Sequence, residues 1–433
     1  MSRTLIEVGA LAQSAQQVWN EPSYVLCDGD RVIDAGPGKY TGDRAGLTVF
    51  KRPQSVAMPG LVNTHGHAAM TLLRGAGDDL PLQTWLTEKV FPMEAKLTGE
   101  AIYWGTLLAC WEMLRSGTTC YTDMYMSMHD AAQAVSDSGM RGVLSWGMVG
   151  LDEASAQNGI ANSRSFVKTW HRQADSRITV TLGPHAPYTC PPTYLRQVAE
   201  LSSELNVAIQ IHLSETHAEV EESLAQYNKT PIAHAADCGL FERPLLAAHC
   251  VHVSADDIEL MKAANVHVAH NPQSNLKLAS GVAPLVQMKQ AGLTVGIGTD
   301  GAASNNNLDM FEEMRLTATL HKGTSGDAAA IPARTAFAMA TADGAAAVFQ
   351  EPFAGTLALG APADITLLDM QSPHFLPTYD LISNIVYSAG ADDVTDVFVA
   401  GKPVVVHREI QTLDTERIAY EVKRIHAALL CNA

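Results

Sequence analysis

The chain has 433 residues, with 46 acidic against 29 basic side chains and a net charge of −17. That excess of acid argues against nucleic acid as a partner, because binding phosphates takes clustered Lys and Arg to displace counterions. With 47% hydrophobic and 17% charged residues, the chain is too apolar to stay unfolded, and it is long enough to build a core without disulfides.

The opening stretch MSRTLIEVGALAQSAQQVW lacks the continuous apolar run and small-residue cleavage site of a secretory leader, and no later stretch is apolar over the length of a membrane span. A cytoplasmic protein with no membrane association is expected. The cysteines, at 27, 110, 120, 190, 238, 250 and 431, form no CxxC pair and are expected to be reduced and mostly buried. Residues 1–57 read as short strands and turns. In YVLCDGDRVIDAG a strand, an Asp-Gly turn and a second strand follow one another as in a hairpin.

Residues 58–360 alternate short apolar runs with helix-like segments, the pattern of parallel strands joined by crossover helices. Eight strands are predicted in order: MPGLVNTH, TTCYTDMY, RGVLSWGMV, ITVTLGPHA, VAIQIHL, PLLAAHC, VHVAH and LTVGIGTD. Between them, EAIYWGTLLACWEMLRSG has apolar residues at helical spacing and closes on Gly117, while Ser254 and Asp257 form a capping box that opens SADDIELMKAA. A (β/α)8 TIM barrel is the economical fold. Residues 361–433 return to β texture, with ADITLLDM and VTDVFVAGKPVVVHREI around an Ala-Gly-Lys-Pro turn before a terminal helix. Both chain ends are expected to build one small β-sandwich domain that carries no chemistry.

Several predicted barrel strands finish on residues able to bind metal or move protons: His65 and His67, His185, His212, His249, His270 and Asp300. In a parallel barrel all carboxyl ends open on one face, so residues far apart in sequence converge there. His65-x-His67 puts two imidazoles on the same side of an extended segment, because side chains alternate with period two. A lone HxH is weak evidence, and its plain reading is a polar loop. The run PGLVNTHGHAAM strengthens it, since an apolar strand delivers the pair and small residues leave room for an ion. With His212 and Asp300 ending strands the same way, three nitrogens and one oxygen would suit zinc best, with iron(II) and manganese also acceptable.

Together PGLVNTHGHAAM, HLSETH, AHCVH, HNPQSNLKLASG and GTDGAASNNNLDMFEEMR resemble the amidohydrolase superfamily, and most closely its 5′-methylthioadenosine/S-adenosylhomocysteine deaminases. The resemblance implies that His65, His67, His212 and Asp300 hold one divalent metal and that Glu215 is the proton shuttle. It further implies that His249 hydrogen-bonds the metal-bound water, that Asp300 is catalytic as well as a ligand, and that Glu94 and His185 contact the substrate. The implied reaction replaces the 6-amino group of an adenine nucleoside by oxygen and releases ammonia, with a small-molecule substrate and a homo-oligomeric enzyme. Some relatives grip the amino-acid carboxylate of S-adenosylhomocysteine with arginines after the third strand. Here the first such place holds Trp146, and Arg164 is the candidate for the second, which points toward methylthioadenosine or adenosine.

Rival readings are a guanine or triazine aminohydrolase or chlorohydrolase with the same metal apparatus, and a barrel scaffold without catalysis. Glu94 argues against the first, because free bases and triazines offer no ribose diol to a carboxylate. The complete ligand set argues against the second. Trp85 and Phe91 read equally as core or as purine-stacking side chains, His217 and His252 as solvated, His270 as a residue that orients a ligand, and Glu312–Glu313 as a solvated helix face.

Overall fold

The computed structural model describes residues 3–431. The chain begins with β1 (Arg3–Ala12), β2 (Val18–Trp19), β3 (Ser23–Asp28), β4 (Arg31–Pro37) and β5 (Leu47–Pro59). The predicted hairpin is β3–β4, turning through Gly29 in the left-handed region at φ 58°. The eight predicted barrel strands follow: β6 (Leu61–Asn63), β7 (Thr118–Tyr125), β8 (Arg141–Met148), β9 (Ile178–Pro184), β10 (Ile209–Leu213), β11 (Leu245–His249), β12 (His267–His270) and β13 (Val295–Ile297). The chain then forms β14 (Ile365–Asp369), β15 (Val394–Val399), β16 (Lys402–Val406) and β17 (Glu409–Ile410), and ends in the helix Thr415–Cys431.

β6 to β13 pair in sequence order, all parallel. The two outer strands meet through Thr64, whose N–H donates to the Ile297 carbonyl at 2.9 Å. Asn63 reinforces that seam: its amide donates to the Thr299 hydroxyl at 2.7 Å and accepts the Thr299 N–H at 3.0 Å. Strands such as β7, β10 and β11 are buried along their whole length, which is why they read as continuous apolar runs instead of alternating ones. The connecting helices use the predicted stops and starts. Thr98 caps Gly99–Arg115 by accepting the Ala101 N–H, the chain leaves that helix through Gly117 at φ 83°, and the Ser254–Asp257 box opens Ala255–Ala263.

The ends of the chain do build one unit, but hydrogen bonding runs unbroken from β17 through β16, β15, β14, β5, β1 and β3 to β4. The strands of the two ends thus pair into a single mixed sheet, and two separately paired layers are not seen among the described residues. The physical reason lies in β5, which pairs parallel with β1 and antiparallel with β14 and so joins the amino- and carboxyl-terminal hairpins edge to edge. Ile6, Val25, Val32, Ile365, Leu367 and Phe398 form its own apolar core.

Arg141, the first residue of β8, fastens this sheet to the barrel. Its Nε and Nη2 donate to the two oxygens of Asp364 at 2.9 and 3.0 Å, and Asp364 also accepts the Ala400 N–H at 2.8 Å. Both side chains are largely buried. Removing one partner of such a pair leaves an uncompensated buried charge, so Arg141→Ala is expected to lower stability by about 3–5 kcal/mol. A denaturation midpoint unchanged from the native chain would refute that fastening role. No helix among the described residues is long and apolar enough to cross a membrane.

Candidate functional site

The carboxyl ends of the barrel strands do converge. His65 follows β6, His212 lies on β10, His249 ends β11 and Asp300 follows β13. Ser214, His249 and Asp300 adopt left-handed φ values of 53°, 72° and 61°, costly for side chains other than glycine and common where function demands a turn. Nε2 of His65 and Nε2 of His67 stand 3.5 and 3.3 Å from the same Asp300 oxygen, and Nε2 of His212 stands 3.4 Å from that of His67. Their potential donor atoms fall into two overlapping groups, His65–His67–His212 and His65–His249–Asp300, each with all atoms within 4.8 Å of one another.

The chemistry of this donor set fits a divalent cation. Both ring nitrogens of His65 are buried with no hydrogen-bond partner among the described residues, an arrangement that costs free energy unless a cation or other partner takes up the lone pair. The other ligand candidates are aimed by contacts behind them. Nδ1 of His67 bonds the Met124 carbonyl at 2.6 Å and Nδ1 of His212 the His185 carbonyl at 2.6 Å, which leaves each Nε2 facing the cluster. Asp300 accepts the hydroxyls of Ser274 and Ser304 at 2.6 and 2.9 Å and the Gly301 N–H at 2.8 Å. Burial holds His65 and His212 well below the ordinary histidine range, as neutral ligation requires. At His67 burial also acts downward, but the hydrogen bond and charge of Asp300 outweigh it and lift the imidazole to about 9; ligation would displace that proton.

Beside the cluster, Glu215 is buried, with Oε2 3.8 Å from Nε2 of His249 and Oε1 accepting the Ser280 hydroxyl at 3.3 Å. Burial pushes its carboxyl above the ordinary range, with His249 acting the other way. Nδ1 of His249 is bonded to Asn275 Oδ1 at 2.8 Å, so Nε2 points toward Glu215. These groups line one end of a cavity of about 460 Å³ that Glu94, His185, Trp85 and Phe91 also line. Glu94 is buried and accepts the Tyr125 hydroxyl at 2.6 Å; burial raises its carboxyl while that hydrogen bond opposes. His185 bonds Thr189 through Nδ1 at 2.9 Å, and burial lowers it to about 4.

Other expectations are corrected. Arg164 does not line the cavity; its guanidinium pairs with Glu204 on the exposed surface between two outer helices. Trp146 also lies outside, against His129 and Phe166, because its neighbour Gly147 faces the cavity and strand side chains alternate. His270 packs against His321 at 3.1 Å and hydrogen-bonds none of the proposed ligands; within HNPQSN it is Ser274 and Asn275 that orient site residues. Glu313 is fully buried, accepting the Asn305 amide at 2.6 Å and the Gln273 N–H at 3.3 Å, and burial holds its carboxyl well above the ordinary range. His217 is exposed, whereas His252 is half-buried and bonds the Ser280 carbonyl at 2.6 Å.

Sequence reasoning missed Tyr125 and Glu219. The carboxylate of Glu219 accepts the N–H groups of Ser214 and Glu215 at 2.9 and 2.7 Å and clamps the loop that carries Glu215. Its signal was an acid four residues past Glu215, and that of Tyr125 was its place at the end of a predicted strand.

The description of the amidohydrolase family matches residues 56–404. A 5-methylthioadenosine/S-adenosylhomocysteine deaminase of Desulforamulus reducens is 46% identical over 415 residues, covering 94% of this chain and 96% of that protein. One of Dictyoglomus thermophilum is 51% identical over 370 residues, covering 85% and 86%. Among solved structures, an adenosine deaminase of Xanthomonas campestris with bound zinc superposes with a TM-score of 0.92 at 34% identity, over 99% of this chain and 98% of that one.

Proposed function

This chain belongs to the amidohydrolase family, and on that premise we propose that it is a metal-dependent deaminase that converts the 6-amino group of adenine nucleosides to a 6-oxo group. The observation that carries this reading is the buried carboxyl of Glu215 beside a three-histidine, one-aspartate cluster at the end of a cavity. His65, His67, His212 and Asp300 would hold one cation, and zinc is the ion we assign, in keeping with the donor set and with the zinc in the Xanthomonas relative. When bound, such a cation acidifies water from a pKa of about 15.7 to about 7, so hydroxide is available at neutral pH.

The protein's own groups handle the protons. As oxygen adds to C6, the adjacent ring nitrogen must gain a proton and the departing amine another. Glu215 takes one proton from the attacking water and delivers it to the ring nitrogen, then takes the remaining proton from the added oxygen and delivers it to the departing amine, so that both protons come from water. Its raised affinity for a proton suits a group that must hold one between transfers. His249, whose Nδ1 donates to Asn275, presents Nε2 as an acceptor that orients the attacking water. Glu94 has lone pairs beyond the one used by Tyr125 and accepts the ribose diol, while His185 leaves Nε2 for the substrate.

The zinc-loaded protein with 5′-methylthioadenosine should release one ammonia per nucleoside and yield the 6-oxo product, followed by ultraviolet absorbance and an ammonia assay. Turnover of guanine or a triazine with none of any adenine nucleoside would overturn this reading.

A further inference from the structure

The cavity runs from an almost completely buried end to an open one. At the buried end His249 is 1% exposed and Asp300 6%, whereas at the mouth Phe91 is 46% exposed, Val149 39%, Tyr188 39% and Leu151 74%. Large apolar side chains this exposed and this clustered at the rim of a groove mark a surface meant to be covered by a ligand. The carboxyl groups lining the cavity belong to Glu94, Glu215 and Asp300, and none of the described lining residues is Lys or Arg. Arg164, the arginine expected there from the sequence, is paired with Glu204 and does not line the cavity.

We propose that the mouth is an apolar subsite for a short, uncharged 5′-alkylthio group, and that the enzyme therefore selects 5′-methylthioadenosine over both S-adenosylhomocysteine and adenosine. The inference rests on the functional reading above, which puts C6 at the buried end and the ribose at Glu94, so that the 5′ carbon looks toward Phe91, Val149, Leu151 and Tyr188. A methylthio group there removes apolar surface from water on both partners. A 5′-hydroxyl gains less from the same walls, because it gives up hydration without a partner in return. The amino-acid tail of S-adenosylhomocysteine carries both an ammonium and a carboxylate, and the apolar walls of the mouth take water from both while offering the carboxylate no Lys or Arg among the described lining residues.

The test is kcat/KM for the three nucleosides on the zinc-loaded protein. The expected value for 5′-methylthioadenosine exceeds each of the others by about tenfold or more, the scale on which apolar pockets discriminate. Leu151→Arg, at a position exposed enough to accept the change, should raise the ratio of S-adenosylhomocysteine to methylthioadenosine several-fold. Deamination of all three with either competitor within tenfold of methylthioadenosine, or a ratio unmoved by Leu151→Arg, overturns this inference alone. No deamination of any of them overturns the functional reading and takes this inference with it.

Discussion

Glu215→Gln is expected to lower kcat by about 10²- to 10⁴-fold while the protein keeps its metal and its fold. The amide matches the carboxylate in shape and can still meet the Ser280 hydroxyl, but it cannot accept a proton from water or deliver one to the ring. Stability should not suffer, because burial already works against the charged form of Glu215, and a neutral amide avoids that cost. The loop carrying the residue is held from outside the side chain, through the two backbone N–H groups that Glu219 accepts. A loss confined to kcat, with KM for the nucleoside and metal content near native, assigns Glu215 to proton transfer and not to binding. Turnover of the metal-replete variant within tenfold of native would refute the role.

Removal of the metal should have the larger effect. Without a cation held by His65, His67, His212 and Asp300 nothing in the cavity would acidify water, so protein dialysed against a chelator until metal-free is expected to show no measurable turnover and to recover on addition of zinc. Activity is not the only readout. A ligand that binds the folded chain at a hundred times its Kd adds about 2.7 kcal/mol of stability, so the metal-free protein should melt several degrees below the zinc-loaded one. Refilling the cluster would give Nε2 of His65 the partner that it lacks among the described residues. A metal-free protein that retained turnover, or one whose melting temperature ignored added zinc, would remove the centre from the mechanism.

Much of the architecture was legible because its signals are local. Each barrel strand is a short apolar run bounded by a polar end, and a parallel strand covered on both faces leaves that mark in the composition. The residues of the cluster were legible for a related reason: the carboxyl ends of barrel strands, or the turns just past them, put His65, His67, His212 and Asp300 where barrel chemistry sits. Glu313 was not, since nothing in its neighbourhood distinguishes the acid beside it, exposed Glu312, from one buried against Asn305. Arg164 failed likewise, because the face a helix turns inward depends on how it packs against its neighbour.

What the amino-acid order alone determined about this protein is therefore the alternation of strand and helix, the barrel, and the residue types delivered to its rim. The tertiary structure decided the rest: that the two ends merge into one sheet through β5, that Tyr125 and Glu219 steady Glu94 and the Glu215 loop, and that the mouth is apolar, with no Lys or Arg among the described lining residues. The division is physical. Periodicity is a property of neighbours along the chain, whereas the partner of a buried polar group is chosen by packing between segments far apart in sequence, where its hydrogen bonds must be met.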